Sequence, residues 1–192
     1  MRRQFVLLLV LPLIATSAVA TVIYDESIDG DLSGDFSSPM SLMFGNGANT
    51  IIAQMGNNGF TGATNGRDAD YLTFTIANGF QLTSLTVDSY TFSPSNPGVS
   101  FLGYVIGSSF GGQGSGDIDG SVLFNAGSGD ILDDIATGAL QAGTYAFWIQ
   151  ETSSNVVDYE LTFNISPVPL PAPMLLLLSG LGLFGAMRRR FF

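Results

Sequence analysis

Short runs in which apolar and polar residues alternate fill the middle of this chain. In residues 71–76 a leucine, a phenylalanine and an isoleucine fall on one face, and a tyrosine and two threonines fall on the other. Residues 157–165 repeat this pattern, and residues 143–151 alternate Tyr145 with Ala146 and Phe147 with Trp148. A period of two residues is typical of half-buried strands in antiparallel sheets.

Further short runs of β-branched and aromatic residues are separated by Gly, Asn, Asp and Ser, which favour turns. These candidate strands are residues 22–24, 42–44, 50–54, 81–90, 99–106 and 121–124, and residues 130–135 suit a single helical turn. Nine short strands predict an all-β fold, an antiparallel β-sandwich of jelly-roll type, over residues 21–167. The alternative is another antiparallel all-β arrangement.

The first twenty residues have the organisation of a secretion signal. Two arginines precede an apolar run over residues 5–14, and Ala18 and Ala20 form a cleavage site of two small residues separated by one other. We therefore predict a signal peptide over residues 1–20 that forms a helix and directs general secretion rather than twin-arginine export.

The last twenty-five residues form three consecutive parts. Residues 168–173 contain three prolines, which cannot donate backbone hydrogen bonds and therefore delay the start of any helix. Residues 174–187 are apolar or small and would span about 21 Å as a helix, against about 30 Å of hydrocarbon core. We predict a short transmembrane helix over residues 174–187 and a basic cytoplasmic tail over residues 188–192.

The tail opens with the motif Val168, Pro169, Leu170, Pro171 and Ala172, and it carries the basic cluster Arg188, Arg189 and Arg190 near its end. In these residues it resembles the C-terminal sorting signal of the PEP-CTERM class in its VPLPA variant, whose sorting motif the first five match. The resemblance implies recognition and cleavage by exosortase, a membrane protease-transpeptidase. It also implies transient residence in the inner membrane, followed by the cell surface or extracellular matrix of a Gram-negative bacterium. The alternative is an ordinary single-pass anchor that stays in the membrane.

Charge and composition exclude several functions for the region between the two ends. Sixteen acidic residues against Arg67 alone give residues 21–167 a formal charge of −15, which repels nucleic acids. Histidine, cysteine and lysine are absent, so disulfides, His- or Cys-based metal sites and the usual Ser-His-Asp or Ser-Lys catalysis are impossible. Paired carboxylates could still hydrolyse glycosides, but we expect no enzyme activity.

Calcium is the metal that best suits the remaining chemistry, and no other cofactor is expected. Asp29, Asp31, Ser33 and Asp35 surround a glycine at the spacing that opens an EF-hand loop. Met40 stands where an EF-hand has its bidentate glutamate, so the segment is no true EF-hand. Two shorter Asp-x-Asp pairs, at residues 68–70 and 117–119, are weaker copies, and aspartate next to glycine also suits ordinary turns.

Trp148 is the only tryptophan and the candidate ligand-binding residue. Its alternation with Phe147 places it on the face directed away from the predicted core. An aromatic ring there could stack on a sugar, or it could cover the outside of the second sheet.

Five segments between the two ends carry a second resemblance: Asp25-Glu26 with Gly30-Asp31-Leu32, Asn49-Thr50-Ile51, residues 68–75, Gly143-Thr144-Tyr145 and Tyr159-Glu160-Leu161. In these segments the chain resembles exported β-sandwich domains of the bacterial pre-peptidase C-terminal type. The resemblance implies a β-sandwich with an accessory or adhesive role. We therefore expect an exported, non-enzymatic surface or matrix protein of the biofilm type, with polysaccharide as its candidate partner. The alternatives are a carbohydrate-binding module of the envelope and, third, a glycoside-active enzyme.

Overall fold

Two β-sheets pack face to face in the computed structural model of this chain, which describes residues 20–56, 68–93, 98–112, 115–152 and 156–169. The described elements are β1 (Thr21–Asp25), α1 (Glu26–Asp29), β2 (Met40–Ser41), β3 (Gly47–Gly56), β4 (Ala69–Ile76), β5 (Phe80–Ser93), β6 (Ser100–Ile106), a 3-10 turn (Ser115–Asp117), β7 (Gly120–Phe124), α2 (Leu132–Ile135), β8 (Gly143–Glu151) and β9 (Val156–Pro167). The prediction of an all-β sandwich is confirmed, because the described chain is mostly strand, in two sheets.

Two edge strands, β1 and β2, differ in direction from the prediction. The first sheet has the order β1-β3-β9-β5 and the second has the order β2-β4-β8-β6-β7. All pairs are antiparallel except β1 with β3 and β2 with β4, which are parallel. The prediction of a wholly antiparallel arrangement was therefore wrong for these two edge strands. Alternation gives the face that each residue occupies, but it does not give the direction of the neighbouring strand.

The main core lies between the two sheets and contains the apolar faces that the alternation predicted. Phe74 of β4 stacks on Phe147 of β8 with ring centroids 5.5 Å apart, and both contact Phe163 of β9 edge-on. Each of these rings is almost completely buried. Because aromatic rings from both sheets interdigitate, the packing fixes the two sheets relative to each other.

A second, smaller apolar cluster lies on the outer face of the five-stranded sheet. Tyr71, which the alternation placed on the polar face, is fully buried there. Phe36 and Phe110, from connections between strands, contact its ring edge-on at 6.5 and 5.6 Å. The connections therefore cover part of the sheet face that the period-two pattern assigned to solvent.

Strand β2 occupies different residues from those predicted. Residues 42–44 were expected to form a strand, but only Met40 and Ser41 pair with β4. Leu42 and Phe44 instead pack against the main core, and the Phe44 ring stacks on Phe74 at 3.8 Å. The Leu42 amide still donates to the Thr73 carbonyl at 2.8 Å, and Phe44 beyond it fills the core from an extended loop.

The two ends of the sandwich are distinct. At the terminal end β1 and β3 begin and β9 ends, because Thr21 pairs with Asn49, which pairs with Phe163. At the distal end β3, β5 and β8 end and β4, β6 and β9 begin. None of the helices among the described residues is long and apolar enough to cross a membrane. The predicted signal peptide, except Ala20, and the predicted transmembrane helix over residues 174–187 lie outside the described residues.

Candidate metal centre

Three carboxylates converge at the distal end of the sandwich. Glu26, Asp31 and Asp70 each offer one oxygen, and these oxygens all lie within 4.8 Å of one another. Glu26 begins α1 directly after β1, Asp31 follows that helix, and Asp70 is the second residue of β4. We call these three residues the acidic cluster, and it joins the N-terminal segment to a strand of the opposite sheet.

Backbone hydrogen bonds hold Glu26 in place. Its Oε1 accepts from the Leu32 amide at 2.9 Å and its Oε2 accepts from the Gln54 amide at 2.7 Å. Burial nevertheless raises the pKa of Glu26 to about 7; the two amide bonds oppose this shift and the charge of Asp31 adds to it. The Glu26 carboxylate is therefore held in position by two hydrogen bonds that do not offset the effect of burial on its pKa.

Asp70 is the most constrained member of the cluster. Its side chain is fully buried, and its Oδ2 accepts a hydrogen bond from the Tyr159 hydroxyl at 2.6 Å. Its Oδ1 is buried and has no hydrogen-bond partner. Burial raises the pKa of Asp70 well above the usual value, and the charge of Glu26 raises it further. A buried carboxylate oxygen without a partner is costly, so this atom suits a cationic ligand.

An open cleft adjoins the cluster. Its volume is about 540 Å³, and its lining consists of Asp25, Glu26, Ser27, Asp31, Ile52, Ala53, Gln54, Asp68 and Asp158. Burial raises the pKa of Asp68 to about 6, with a further contribution from the charge of Asp31. Several carboxylates thus share a confined space at the distal end, where a cation would relieve their mutual repulsion.

These donors suit a hard cation. Carboxylate oxygens are the preferred ligands of calcium, which takes six to eight oxygens in flexible geometry. The buried and unpartnered Oδ1 of Asp70 distinguishes this cluster from a chance group of surface acids. The residues therefore fit calcium on their chemistry, on their convergence and on the orphaned oxygen of Asp70.

The calcium loop predicted from the sequence contributes one residue to this cluster. Asp31 belongs to it, whereas Asp29 accepts a hydrogen bond from the Asp25 amide at 3.0 Å. Asp35 accepts from the amide and hydroxyl of Ser37, and the Ser33 hydroxyl donates to the Ser38 carbonyl at 2.7 Å. Asp29, Ser33 and Asp35 thus have local turn partners and do not join Asp31 in the cluster.

Sequence reasoning missed Glu26 as a ligand and ranked Asp70 low. The Asp-x-Asp pair at residues 68–70 was noted only as a weak copy, although it supplies the most buried carboxylate. The useful signal was that Asp70 shares the strand face of Leu72, Phe74 and Ile76, where a carboxylate needs a partner. In the other weak copy, Asp119 accepts a hydrogen bond from the Ile106 amide at 2.6 Å. No second cluster of three acids occurs among the described residues.

Trp148 lies on the outer face of the five-stranded sheet, as the alternation indicated. It is partly buried, and its ring stacks on Tyr71 at 5.7 Å and meets Phe101 edge-on at 4.8 Å. Its Nε1 is buried without a hydrogen-bond partner. The indole is therefore packed into the second apolar cluster, and its N–H cannot reach a ligand in this conformation.

The predicted sorting residues are described only in part. Strand β9 ends at Pro167, and the Val168 amide donates to the Gly79 carbonyl at 2.8 Å, so the motif begins directly at the sheet. Pro169 is the last residue described, and Leu170, Pro171, Ala172 and the arginines at 188–190 lie outside the described residues. At the other end, Ala20 is described and exposed, but Ala18 is not described.

No protein-family model matches this chain, and no curated protein is similar enough to it to count as a relative. The two resemblances noted above therefore depend on the residues that carry them in this sequence. Any functional conclusion must come from the chemistry of the acidic cluster and from the pattern of the chain's two ends.

Proposed function

We propose that the acidic cluster binds calcium in an exported, non-enzymatic β-sandwich protein of the bacterial surface or extracellular matrix. The observation that carries the calcium assignment is Asp70, which is fully buried and has one carboxylate oxygen without a partner. Oxygens of Glu26 and Asp31 lie within 4.8 Å of that carboxylate. A divalent cation would neutralise this charge and give the orphaned oxygen its ligand.

Calcium suits the cluster better than other common metals. Zinc, copper and iron favour sites with imidazole or thiolate ligands, and this chain has no histidine or cysteine. Magnesium demands nearly ideal octahedral geometry and gives up its water reluctantly. Calcium accepts a larger and more flexible shell of oxygens, which suits three carboxylates that come from different segments of the chain.

The ion would hold the N-terminal segment against the rest of the domain. Residues 21–41 contribute β1 to the edge of one sheet and β2 to the edge of the other, through only short parallel pairings. Glu26 and Asp31 belong to this segment, and Asp70 belongs to β4. Without a cation this contact buries acidic groups that oppose one another's ionisation, and calcium would make the same contact attractive.

We further assign the sandwich to the jelly-roll type. Strands of the first half pair with strands of the second half in nested order: β3 with β9, β4 with β8, and β6 with β7. Between these pairs, β5 forms isolated bridges with Asp130 and Leu140. This is the order of one long antiparallel hairpin rolled into two sheets, with β1 and β2 as additions at one edge.

Export and sorting are proposed from the two ends of the chain. The signal pattern predicts cleavage after Ala20, and the tail predicts an inner-membrane intermediate that exosortase processes. This proposal is supported by the position of both ends: β1 begins at Thr21 and β9 ends at Pro167, both at the terminal end of the sandwich. A tail held in the membrane would therefore keep this end of the sandwich toward the membrane. The acidic cluster, at the distal end, would then face away from the membrane.

A glycoside-active enzyme is the weaker alternative. Two carboxylates about 5 Å apart can hydrolyse a glycosidic bond, but both must reach the sugar. Asp70 has no exposed surface and accepts a hydrogen bond from Tyr159, so no catalytic pair that includes Asp70 can reach a substrate. The raised pKa of Glu26 then follows from burial without a cation and does not require a catalytic role.

Calcium binding is tested by comparing two aspartates that are two residues apart. Isothermal titration and thermal unfolding of the purified chain should detect calcium binding and a rise in Tm that EDTA reverses. Asp31→Asn should weaken binding at least about tenfold, because it removes one charged ligand. Asp29→Asn, which removes the same charge outside the cluster, is the matched control and should bind as the wild type does. Equal effects of the two substitutions would exclude a specific site.

Sorting is tested in the native host by intact mass and cell fractionation. A product that lacks the tail and lies outside the inner membrane is expected, and Pro169→Ala with Pro171→Ala should block its formation. A full-length species that keeps its arginine cluster in the inner membrane would instead identify a permanently anchored domain.

A further inference from the structure

We infer that the cleft beside the acidic cluster is a binding site for neutral sugars, whose hydroxyl groups complete the coordination of calcium. The inference rests on the calcium binding proposed above and adds a ligand class to the same site. Its basis is the combination of a cation position, an open cleft and a wall of hydrogen-bonding side chains at one place on the distal end.

The cluster leaves part of the calcium shell open. Calcium takes six to eight oxygens, and three carboxylates from the described residues reach the cluster. One oxygen of Asp70 is engaged by Tyr159, and both oxygens of Glu26 already accept backbone amides. Asp31 is exposed, so the shell opens on its side toward solvent. Water or a ligand hydroxyl must fill the remaining positions.

The adjoining cleft has the size and lining of a small-ligand site. Its volume of about 540 Å³ lies in the range that binds one or two sugar rings or other small molecules. Ile52 and Ala53 supply an apolar patch, and Gln54 and Asp158 supply polar groups on the adjacent strands β3 and β9. The Gln54 Nε2 donates to the Asp158 Oδ1 at 2.6 Å, so this pair is preorganised.

Charge selects the ligand class. Asp25, Asp68 and Asp158 line the cleft in addition to Glu26 and Asp31, and one calcium ion offsets only two of these charges. Anionic ligands such as uronates or phosphates would meet this surplus of negative charge. A cationic group would be attracted to the walls but cannot coordinate the metal. A neutral polyol can do both, because its hydroxyl oxygens bind calcium and its hydroxyl protons donate to carboxylates.

This site differs from the one that the sequence suggested for a sugar. Trp148 lies on the outer face of the other sheet, and its buried N–H leaves little of the ring's polar edge for a ligand. The cleft, by contrast, is at the distal end, formed by β1, β3, β9 and the segment after β1. A sugar bound at the cleft would not touch Trp148.

The test is affinity electrophoresis of the purified chain through gels that contain galactomannan, dextran or alginate. With calcium, we expect a neutral polysaccharide to retard the protein, alginate to retard it less, and EDTA to abolish the retardation. Asp158→Ala should weaken retardation about tenfold, the loss expected for one hydrogen bond to a charged group. Asp133→Ala, which removes an exposed carboxylate of α2, is the matched charge control and should behave as the wild type does.

The results distinguish failure of the sugar site from failure of the proposed calcium site. Calcium binding by titration without retardation on either neutral polysaccharide would overturn the sugar site and leave a purely structural ion. Stronger retardation by alginate, or retardation that EDTA does not change, would also overturn it. An absence of calcium binding would instead overturn the proposed function itself. Asp158→Ala must keep the calcium-induced rise in Tm, because Asp158 lies outside the acidic cluster.

Discussion

Replacing Asp70 by asparagine should stabilise the metal-free protein and abolish its response to calcium. Asparagine has the same shape, and its side-chain carbonyl can still accept the Tyr159 hydroxyl that now bonds Oδ2 at 2.6 Å. The change removes a carboxyl whose pKa is raised well above the usual value by burial and by the charge of Glu26. The two effects have opposite signs, so a general loss of structure cannot produce both.

The magnitude follows from proton uptake. A buried acid that is protonated in the metal-free fold but ionised in the unfolded chain costs about 1.4 kcal/mol for each pH unit above its ordinary pKa near 4. Near pH 7 this cost is at most about 4 kcal/mol, and Asp70→Asn removes it. For a domain of this size, 1 kcal/mol shifts Tm by about 2–4 °C. The metal-free variant should therefore melt several degrees above the metal-free wild type near pH 7, and this advantage should fade toward about pH 4.

Calcium should raise the Tm of the wild type above that of the Asp70→Asn variant. With a dissociation constant near 0.1 mM, as in extracellular calcium modules, about 10 mM calcium stabilises the wild type by about 2.7 kcal/mol, or about 5–11 °C in Tm. The Asp70→Asn variant should show little of this increment in differential scanning calorimetry. A variant that keeps the full calcium increment would remove Asp70 from the site. A metal-free variant that melts below the wild type would refute the account of Asp70 as an uncompensated buried acid.

Three further predictions concern Glu26, Tyr159 and Gly120. In EDTA, Tm should be higher at about pH 5 than at about pH 8. Glu26 has a folded pKa of about 7, above its ordinary value, so its protonation stabilises the metal-free fold and is lost as pH increases through that value. A Tm that does not change with pH would contradict this assignment. Tyr159→Phe deprives Asp70 of its hydroxyl donor and should cost about 1–3 kcal/mol in urea unfolding of the calcium-loaded protein. Gly120→Ala would place a methyl group against a backbone carbonyl and should cost about 1–3 kcal/mol, whereas Gly116→Ala has open space and should change stability by no more than about 0.5 kcal/mol.

Gly120 has a packing requirement that its neighbours in the sequence do not reveal. Its sequence context, a glycine before an apolar run, is compatible with an ordinary flexible turn. In the fold, β7 passes so close to the carbonyl of Ile135 in α2 that a side chain has no room. Only the packing of two segments fifteen residues apart creates that requirement, so no local pattern could reveal it.

The sequence by itself determined most of the strands and the faces that they turn toward the main core. The alternation in residues 71–76 and 157–165 assigned Phe74, Phe163 and their neighbours to the core, because a strand's side chains point to opposite sides whatever the strand pairs with. It also determined that any metal site would consist of oxygen ligands, because histidine and cysteine are absent.

Tertiary structure alone decided which carboxylates meet. Glu26 and Asp70 are separated by more than forty residues, and they come together because β1 runs parallel to β3 while β4 begins at the same end of the opposite sheet. Of the loop predicted from the sequence, Asp31 lies in the acidic cluster, whereas Asp29, Ser33 and Asp35 make hydrogen bonds within short turns. Spacing along a chain fixes the distance between ligands only within one turn or helix. Between strands of different sheets, that distance depends on register and packing, which involve the whole domain.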